Sequence, residues 1–391
     1  MIPGEKKLAA FIRRHILVLI VIFATLATLY ARYCFRGFIS GDMKEFLLKW
    51  FRRIEKRGGL AGLGKSVGNY NIPYQTIIAL FTYLPFRPEH MYKGLSIAFD
   101  YLMAWAVAQL IYDLTKERVL QVIGYVATAA LPIVVLNSAA WGQCDSIYTF
   151  FCMLSLLLLL RERYLLCFIA FGAAFAFKLQ AVFLLPFFMF VWLYREKLSI
   201  WHFALIPIVD IVLSLPGLIA GRKLDALVTV YVKQTNNTKK ISWNYPSFWN
   251  LLQNNTEEEY YFITRPLAII TVMLILLCML VLLVKKNGAL SDKDTVKIAF
   301  IMTYTCVLFL PSMHERYSYL HVILGLVIAI LDAGTLPAYL GLLLIDMQTY
   351  GRYLFVTDIL PWTALVVINL AAYAFYLFKF GAPILRESAQ T

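Results

Sequence analysis

Apolar runs close to twenty residues long recur from one end of this 391-residue chain to the other, and a soluble fold has no interior large enough to hide them all. A continuously apolar run satisfies its own backbone hydrogen bonds in hydrocarbon as a helix, whereas a barrel strand would alternate with period two. The expected fold class is therefore an all-α polytopic membrane protein, one domain over 1–391. A mean hydropathy of +0.71 and only 15% charged residues agree. Windowed hydropathy places spans near 15–34, 92–113, 119–138, 145–160, 164–176, 179–194, 199–220, 266–285, 295–311, 318–332, 335–348 and 360–380, about twelve crossings. The run TIIALFTYLPF at 76–86 is too short to cross and reads as interfacial or re-entrant. The first span follows Lys6, Lys7, Arg13 and Arg14, exceeds a secretory core in length and lacks a small-residue cleavage site, so a retained helix is expected.

The net charge is +13, but the basic residues sit in short connectors, which makes the lipid bilayer the expected partner and excludes nucleic acid. Cys152, Cys167, Cys278 and Cys306 fall inside apolar runs with no metal-like spacing, so no metal is expected on them. With the N-terminus inside, the connectors carrying Lys116 and Arg118, Arg161 and Arg163, Arg195 and Lys197, and Lys285 and Lys286 are cytoplasmic. The 35–75 loop is then external although it holds Arg36, Lys44, Lys49, Arg52, Arg53, Lys56, Arg57 and Lys65. That conflict eases if EFLLKWFRRI is an amphipathic interfacial helix with Phe46, Leu47, Trp50, Phe51 and Ile54 facing lipid.

Polar residues at span ends are expensive unless they share a wet cavity. On this topology one face gathers the 35–75 loop, WGQCD at 141–145, FKLQ at 177–180, a second large external loop at 221–265 and PSMHERYSY at 311–319. Asp42, just past the first span, is a candidate general base or a helix cap. His314, Glu315 and Arg316 read as a phosphate clamp, with Glu315 orienting the other two, or as a salt bridge between helix ends. Asp145 could cap the fourth span; alternatively Gln143 and Asp145 accept from sugar hydroxyls while Trp141 stacks on a pyranose face. Lys178 interrupts an apolar run and needs a partner, either a lipid phosphate or Asp145. Trp243, Tyr245 and Trp249 suit a carbohydrate surface or an interfacial belt. Asn236 and Asn254 begin N-x-T sequons. Asp100, Asp113, Asp210, Asp332 and Asp346 are assigned mainly structural or cap roles. No nucleotide-binding loop or nucleophile elbow is present.

In order along 40–320, SGDMKEFLLKW, GNYNIPY, WGQCDSIY, FKLQAVFLLP and MHERYSY resemble motifs of the GT-C superfamily of polyprenyl-phosphate-sugar-dependent glycosyltransferases. The first two are similar to the lipid-linked-oligosaccharide glucosyltransferases, the others to bacterial relatives of the second GPI mannosyltransferase. The resemblance implies an inverting transfer of a mannose- or glucose-type sugar from a polyprenyl-phosphate donor to a glycolipid or glycan acceptor, on the outer or lumenal face. It implies Asp42 as base, Arg316, His314 and Lys178 at the donor phosphate, and Gln143, Asp145, Trp141 and Glu315 at the sugars. Tyr70, Asn71 and Tyr74 would shape the wall near the base. A monophosphate leaving group implies no metal cofactor. The localisation implied is a bacterial plasma membrane, or an ER membrane in a eukaryote. Competing readings are a lipid or glycan transporter or flippase, whose charges would fall at span centres, and an O-antigen-type polymerase or ligase, whose external loop would carry paired arginines.

Overall fold

The structure, a computed structural model, describes residues 3–236, 238–252, 260–284 and 290–387. In chain order the helices are α1 (Pro3–Cys34), α2 (Leu48–Lys56), α3 (Ile72–Phe81), α4 (Pro88–Thr115), α5 (Arg118–Ala130), α6 (Pro132–Val135), α7 (Asp145–Leu160) and α8 (Tyr164–Phe177). They continue as α9 (Leu185–Tyr194), α10 (Leu205–Ile219), α11 (Ala226–Asn236), α12 (Tyr261–Val284), α13 (Asp292–Phe309), α14 (Tyr319–Leu331), α15 (Leu336–Phe355) and α16 (Trp362–Glu387). The sequon at Asn254 and the connector holding Lys285 and Lys286 lie outside the described residues, as does the middle position of the Asn236 sequon.

Among the described residues five helical stretches are long and apolar enough to cross a membrane: Gly4–Cys34, Pro88–Thr115, Ile200–Ile219, Tyr261–Val284 and Trp362–Gly381. A sixth arises if Arg118–Ala130 and Pro132–Trp141, bent by 47°, count as one span. The bend follows from Pro132, which forces Leu131 out of helical geometry, at ψ 125°. These helices fit a multi-pass membrane protein. The exposed Leu274, Leu277 and Val281 on α12 form the kind of outward apolar surface that lipid covers.

Several expected spans are helical near the expected bounds but shorter than the hydrocarbon core. The segments expected at 145–160, 164–176 and 318–332 become helices of 16, 14 and 13 residues. Thirteen residues rise roughly 20 Å against a hydrocarbon core of roughly 30 Å, and α14 is enclosed by other helices along nearly its whole length. The segment expected at 179–194 starts as a 3-10 turn, Leu179–Leu184, before α9. The run at 76–86 begins earlier, as α3, because the Asn71 side-chain oxygen accepts from Ile72 N at 2.8 Å and Pro73 sits in the first turn. At ten residues α3 is, as expected, too short to cross.

The amphipathic segment after Asp42 corrects a second expectation. Its apolar side does not face lipid: Leu47, Phe51 and Ile54 are buried against Tyr74, Ile78 and Tyr92 on α3 and α4, and only Phe46 is half exposed. Packing on the bundle removes more apolar area from water than half-immersion at an interface would. α1 is tied to α4 by a buried ion pair, Arg32 Nη2 to Asp100 Oδ2 at 2.9 Å. Ser242–Trp243 pairs in parallel with Met313–His314, Trp243 beside His314. This short ladder brings the 221–265 loop onto the segment between α13 and α14.

Candidate active site

Two π turns meet at the centre of the site: Met43–Leu47, which follows Asp42, and Leu136–Trp141, which closes the arm begun by α6. The turn after Asp42 is capped by its neighbour. Ser40 Oγ accepts from Met43 N at 3.1 Å and donates to the Trp141 carbonyl at 2.9 Å, and Asp42 makes no side-chain cap. The aspartate is therefore left for other partners. Its Oδ2 accepts from Trp141 Nε1 at 2.9 Å and Gln143 Nε2 at 2.8 Å, and its Oδ1 accepts from the Tyr353 hydroxyl. Between the two donors lies Gly142, at φ +73°, where a Cβ would stand 2.3 Å from the Met43 methyl. Glycine allows this turn, and so lets Trp141 and Gln143 both reach one carboxylate.

Arg316 forms the second half of the site. Its Nη1 donates to Gln143 Oε1 at 2.8 Å, which also accepts from the Tyr70 hydroxyl at 2.7 Å. Arg316 lies 3.5 Å from Asp145 Oδ2, 3.5 Å from Glu315 Oε1 and 3.8 Å from Asp42 Oδ2, with its guanidinium 4.9 Å from the centre of the Trp141 ring. Burial works against its charge, but Asp145, Tyr70, Glu315 and Asp42 together hold its pKa above the ordinary arginine value. Burial pushes the Glu315 carboxyl up, and the neighbouring Arg316 opposes this. His314 is pushed down to about 3 by burial and by the cations Arg316 and Lys178, so its ring is neutral and offers a hydrogen bond rather than a charge. Its Nε2 lies 3.3 Å from Thr238 Oγ1.

Asp42, Tyr70, Gln143, His314, Glu315 and Arg316 line one cleft of about 1060 Å³. The other sequence candidates stand behind or away from this wall. Lys178 is buried with its ammonium on Asp145 Oδ1, so of the two partners considered for it Asp145 is the one in contact. Asp145 does not cap α7; it also accepts from Asn137 Nδ2 at 3.0 Å. Trp141 has 0% exposure and stacks on Tyr353 at 4.4 Å, which leaves no face for a pyranose. Asn71 faces away, donating to Asp210 Oδ1 at 2.9 Å and to the Ala176 carbonyl at 3.1 Å. Tyr74 packs between Tyr70 and Tyr92 without reaching the cleft. Of the aromatic residues expected at the sugar in the 221–265 loop, Trp243 lines the cleft, beside Thr238, Lys239 and Lys240. Tyr245 is buried, and Trp249 donates to the Phe309 carbonyl at 2.6 Å.

Sequence reasoning missed Tyr353, at the end of α15, and the cleft-lining Trp50, Lys239 and Lys240. The only hint of Tyr353 was its place in TYGRYLF, a polar interruption at the end of an apolar run. Compared with known proteins, the chain matches no protein-family model and no curated protein.

Proposed function

We propose that the chain is an integral-membrane glycosyltransferase of GT-C type. It would move one mannose- or glucose-type sugar from a polyprenyl-phosphate donor to a hydroxyl of a glycolipid or glycan, on the outer or lumenal face. The observation that carries the reading is convergence. Motifs far apart in the chain, SGD, GNY, WGQC and HER, contribute Asp42, Tyr70, Gln143 and Arg316 to one wall linked by hydrogen bonds and ion pairs. About twelve crossings would require the shorter apolar helices to traverse thinner or protein-lined parts of the bilayer beside the long ones.

In the proposed reaction the acceptor oxygen attacks the anomeric carbon and its proton passes to Asp42. The bond from that carbon to the phosphate oxygen breaks, its electron pair leaves with the polyprenyl phosphate, and the configuration inverts. Trp141 and Gln143 hold the carboxylate in place through Oδ2, which assigns the acceptor to Oδ1 in place of the Tyr353 hydroxyl. Arg316, oriented by Glu315, supplies positive charge toward the leaving phosphate, and neutral His314 supplies a donor. Lys178 would act indirectly, by neutralising Asp145 behind Arg316. The deciding experiment incubates the purified protein in proteoliposomes with radiolabelled polyprenyl-phosphate mannose or glucose and a membrane acceptor fraction. Label transferred to a lipid or glycan product supports the reading; export of intact donor without a new glycosidic bond would replace it with a flippase.

A further inference from the structure

The cleft carries opposite charge at its floor and at its rim. At the floor, Arg316 stands among the carboxylates of Asp42, Asp145 and Glu315, all within 3.8 Å, and Lys178 is spent on Asp145. With Lys178 on Asp145, Arg316 is the cation left at the floor for the donor phosphate, and no further cation stands there, among the described residues, for a second anion. The rim differs. Arg53 on α2, and Lys239 and Lys240 after α11, line the same cleft, and none of the three has a carboxylate within ion-pair distance among the described residues. The rim carboxylate Glu45 is already paired with Lys49 at 2.5 Å.

The rim is also held in place. Ser312 Oγ donates to the carbonyls of Thr238 and Lys240 at 3.2 and 3.0 Å, and Ser312 N donates to the Ile241 carbonyl at 2.7 Å. With Trp243 laddered beside His314, the two lysines sit on a backbone that needs little ordering to bind. Aromatic rings accompany the charges. Lys240 Nζ is 4.4 Å from the centre of the Trp243 ring, and Trp50 lines the same cleft, edge-on to Tyr70 at 5.6 Å.

We propose that this rim is a second anion subsite: Arg53, Lys239 and Lys240 bind a phosphate carried by the acceptor, next to a sugar ring stacked on Trp243 or Trp50. Three cations with no carboxylate partner among the described residues suit a phosphate better than a single carboxylate, and an indole beside them suits the apolar face of a pyranose. Placing the phosphate on the acceptor rests on the glycosyltransferase reading, which gives the floor to the donor. The subsite itself does not depend on it.

The test titrates the full-length protein, in neutral phosphatidylcholine nanodiscs, with methyl mannoside 6-phosphate and methyl glucoside 6-phosphate, which lack the donor's anomeric phosphate, and with the matching methyl hexosides, read by saturation-transfer NMR. Phosphate is expected to tighten binding about tenfold. That advantage should vanish in Lys239→Ala/Lys240→Ala and shrink in Arg53→Ala, while methyl hexoside binding, the control for folding, stays unchanged. Asp42→Asn should keep the advantage. No advantage in the wild type, or an advantage that survives the rim variants and disappears in Arg316→Ala, overturns the subsite. An advantage erased by adding phosphatidylglycerol to the nanodiscs assigns the rim to bilayer headgroups and overturns the acceptor assignment. Transfer is read separately: rim-dependent phosphate binding in a protein that transfers no sugar would sink the glycosyltransferase reading and leave the subsite standing.

Discussion

The Tyr353 hydroxyl donates to Oδ1 of Asp42, 311 positions away in the chain, while its ring stacks on Trp141 at 4.4 Å. With Trp141 and Gln143 on Oδ2, both oxygens of this carboxylate already accept from neighbours. In the proposed reaction the acceptor hydroxyl must take the place of the phenol, which makes Tyr353 a stand-in for substrate. Tyr353→Phe keeps the stacking and removes the competitor. Acceptor KM is expected to fall by about three- to tenfold, the net weight of one ordinary hydrogen bond, with donor KM unchanged. An acceptor KM that rises in this variant would show that the phenol helps binding instead.

Asp42→Asn retains the shape of the side chain and loses its ability to take a proton. A drop in kcat of about 10²- to 10⁴-fold is expected, with thermal unfolding close to wild type. Transfer at the wild-type rate would remove Asp42 from the chemistry and leave it a scaffold for Trp141 and Gln143.

Arg316 has a structural duty besides its proposed role at the donor phosphate, because it stands on Asp145 and Glu315, both buried. Arg316→Ala strands that charge, so a stability loss of about 3 kcal/mol or more is expected together with lost transfer. Arg316→Lys should recover much of the melting temperature and little of the rate, since an ammonium lacks the planar fork that reaches Gln143 and two carboxylates together. Equal recovery of both would reduce Arg316 to a point charge.

His314 should leave no mark on the pH dependence of transfer. Its folded pKa, about 3, lies below the ordinary histidine value near 6.5. The folded state therefore binds this proton less readily than the unfolded one, and the stability lost through it appears only as pH falls below about 6.5. His314→Gln is expected to lower kcat without moving either limb of the pH–rate profile between about pH 5 and 8. A limb that disappears in this variant would assign His314 a proton-transfer role.

Transfer is expected to proceed in EDTA, because Arg316 and Lys178 already stand on the carboxylates a divalent ion would claim. Activity lost with EDTA and restored by manganese would mean that the donor phosphate is held through a metal.

What was legible in the sequence follows the range of each interaction. Apolar period and length marked the helices, and polar residues at span ends marked Asp42, Gln143 and Arg316, since an ionisable group beside hydrocarbon is conspicuous on its own. The orientation of a motif's other members was not legible. Asn71 and Tyr70 are adjacent, yet one bonds Asp210 inside the bundle and the other bonds Gln143 in the cleft. Leu47, Phe51 and Ile54 show the same limit: their amphipathic spacing indicates one apolar face but not whether lipid or α3 and α4 cover it. Tyr353 and Lys239 depend on contacts made only after the chain has closed on itself.

The paired π turns at Met43–Leu47 and Leu136–Trp141 give the site an unusual fragility. Each holds one residue beyond the α-helical count, so relaxing either to an α turn would swing what adjoins it by about 100°. A one-residue deletion between Leu136 and Ala140 would spare every functional side chain and still turn the Trp141 indole out of phase with Asp42. The angular setting of the carboxylate is thus written into a surplus of backbone, and the arm from Pro132 to Trp141 works as the dial that keeps it.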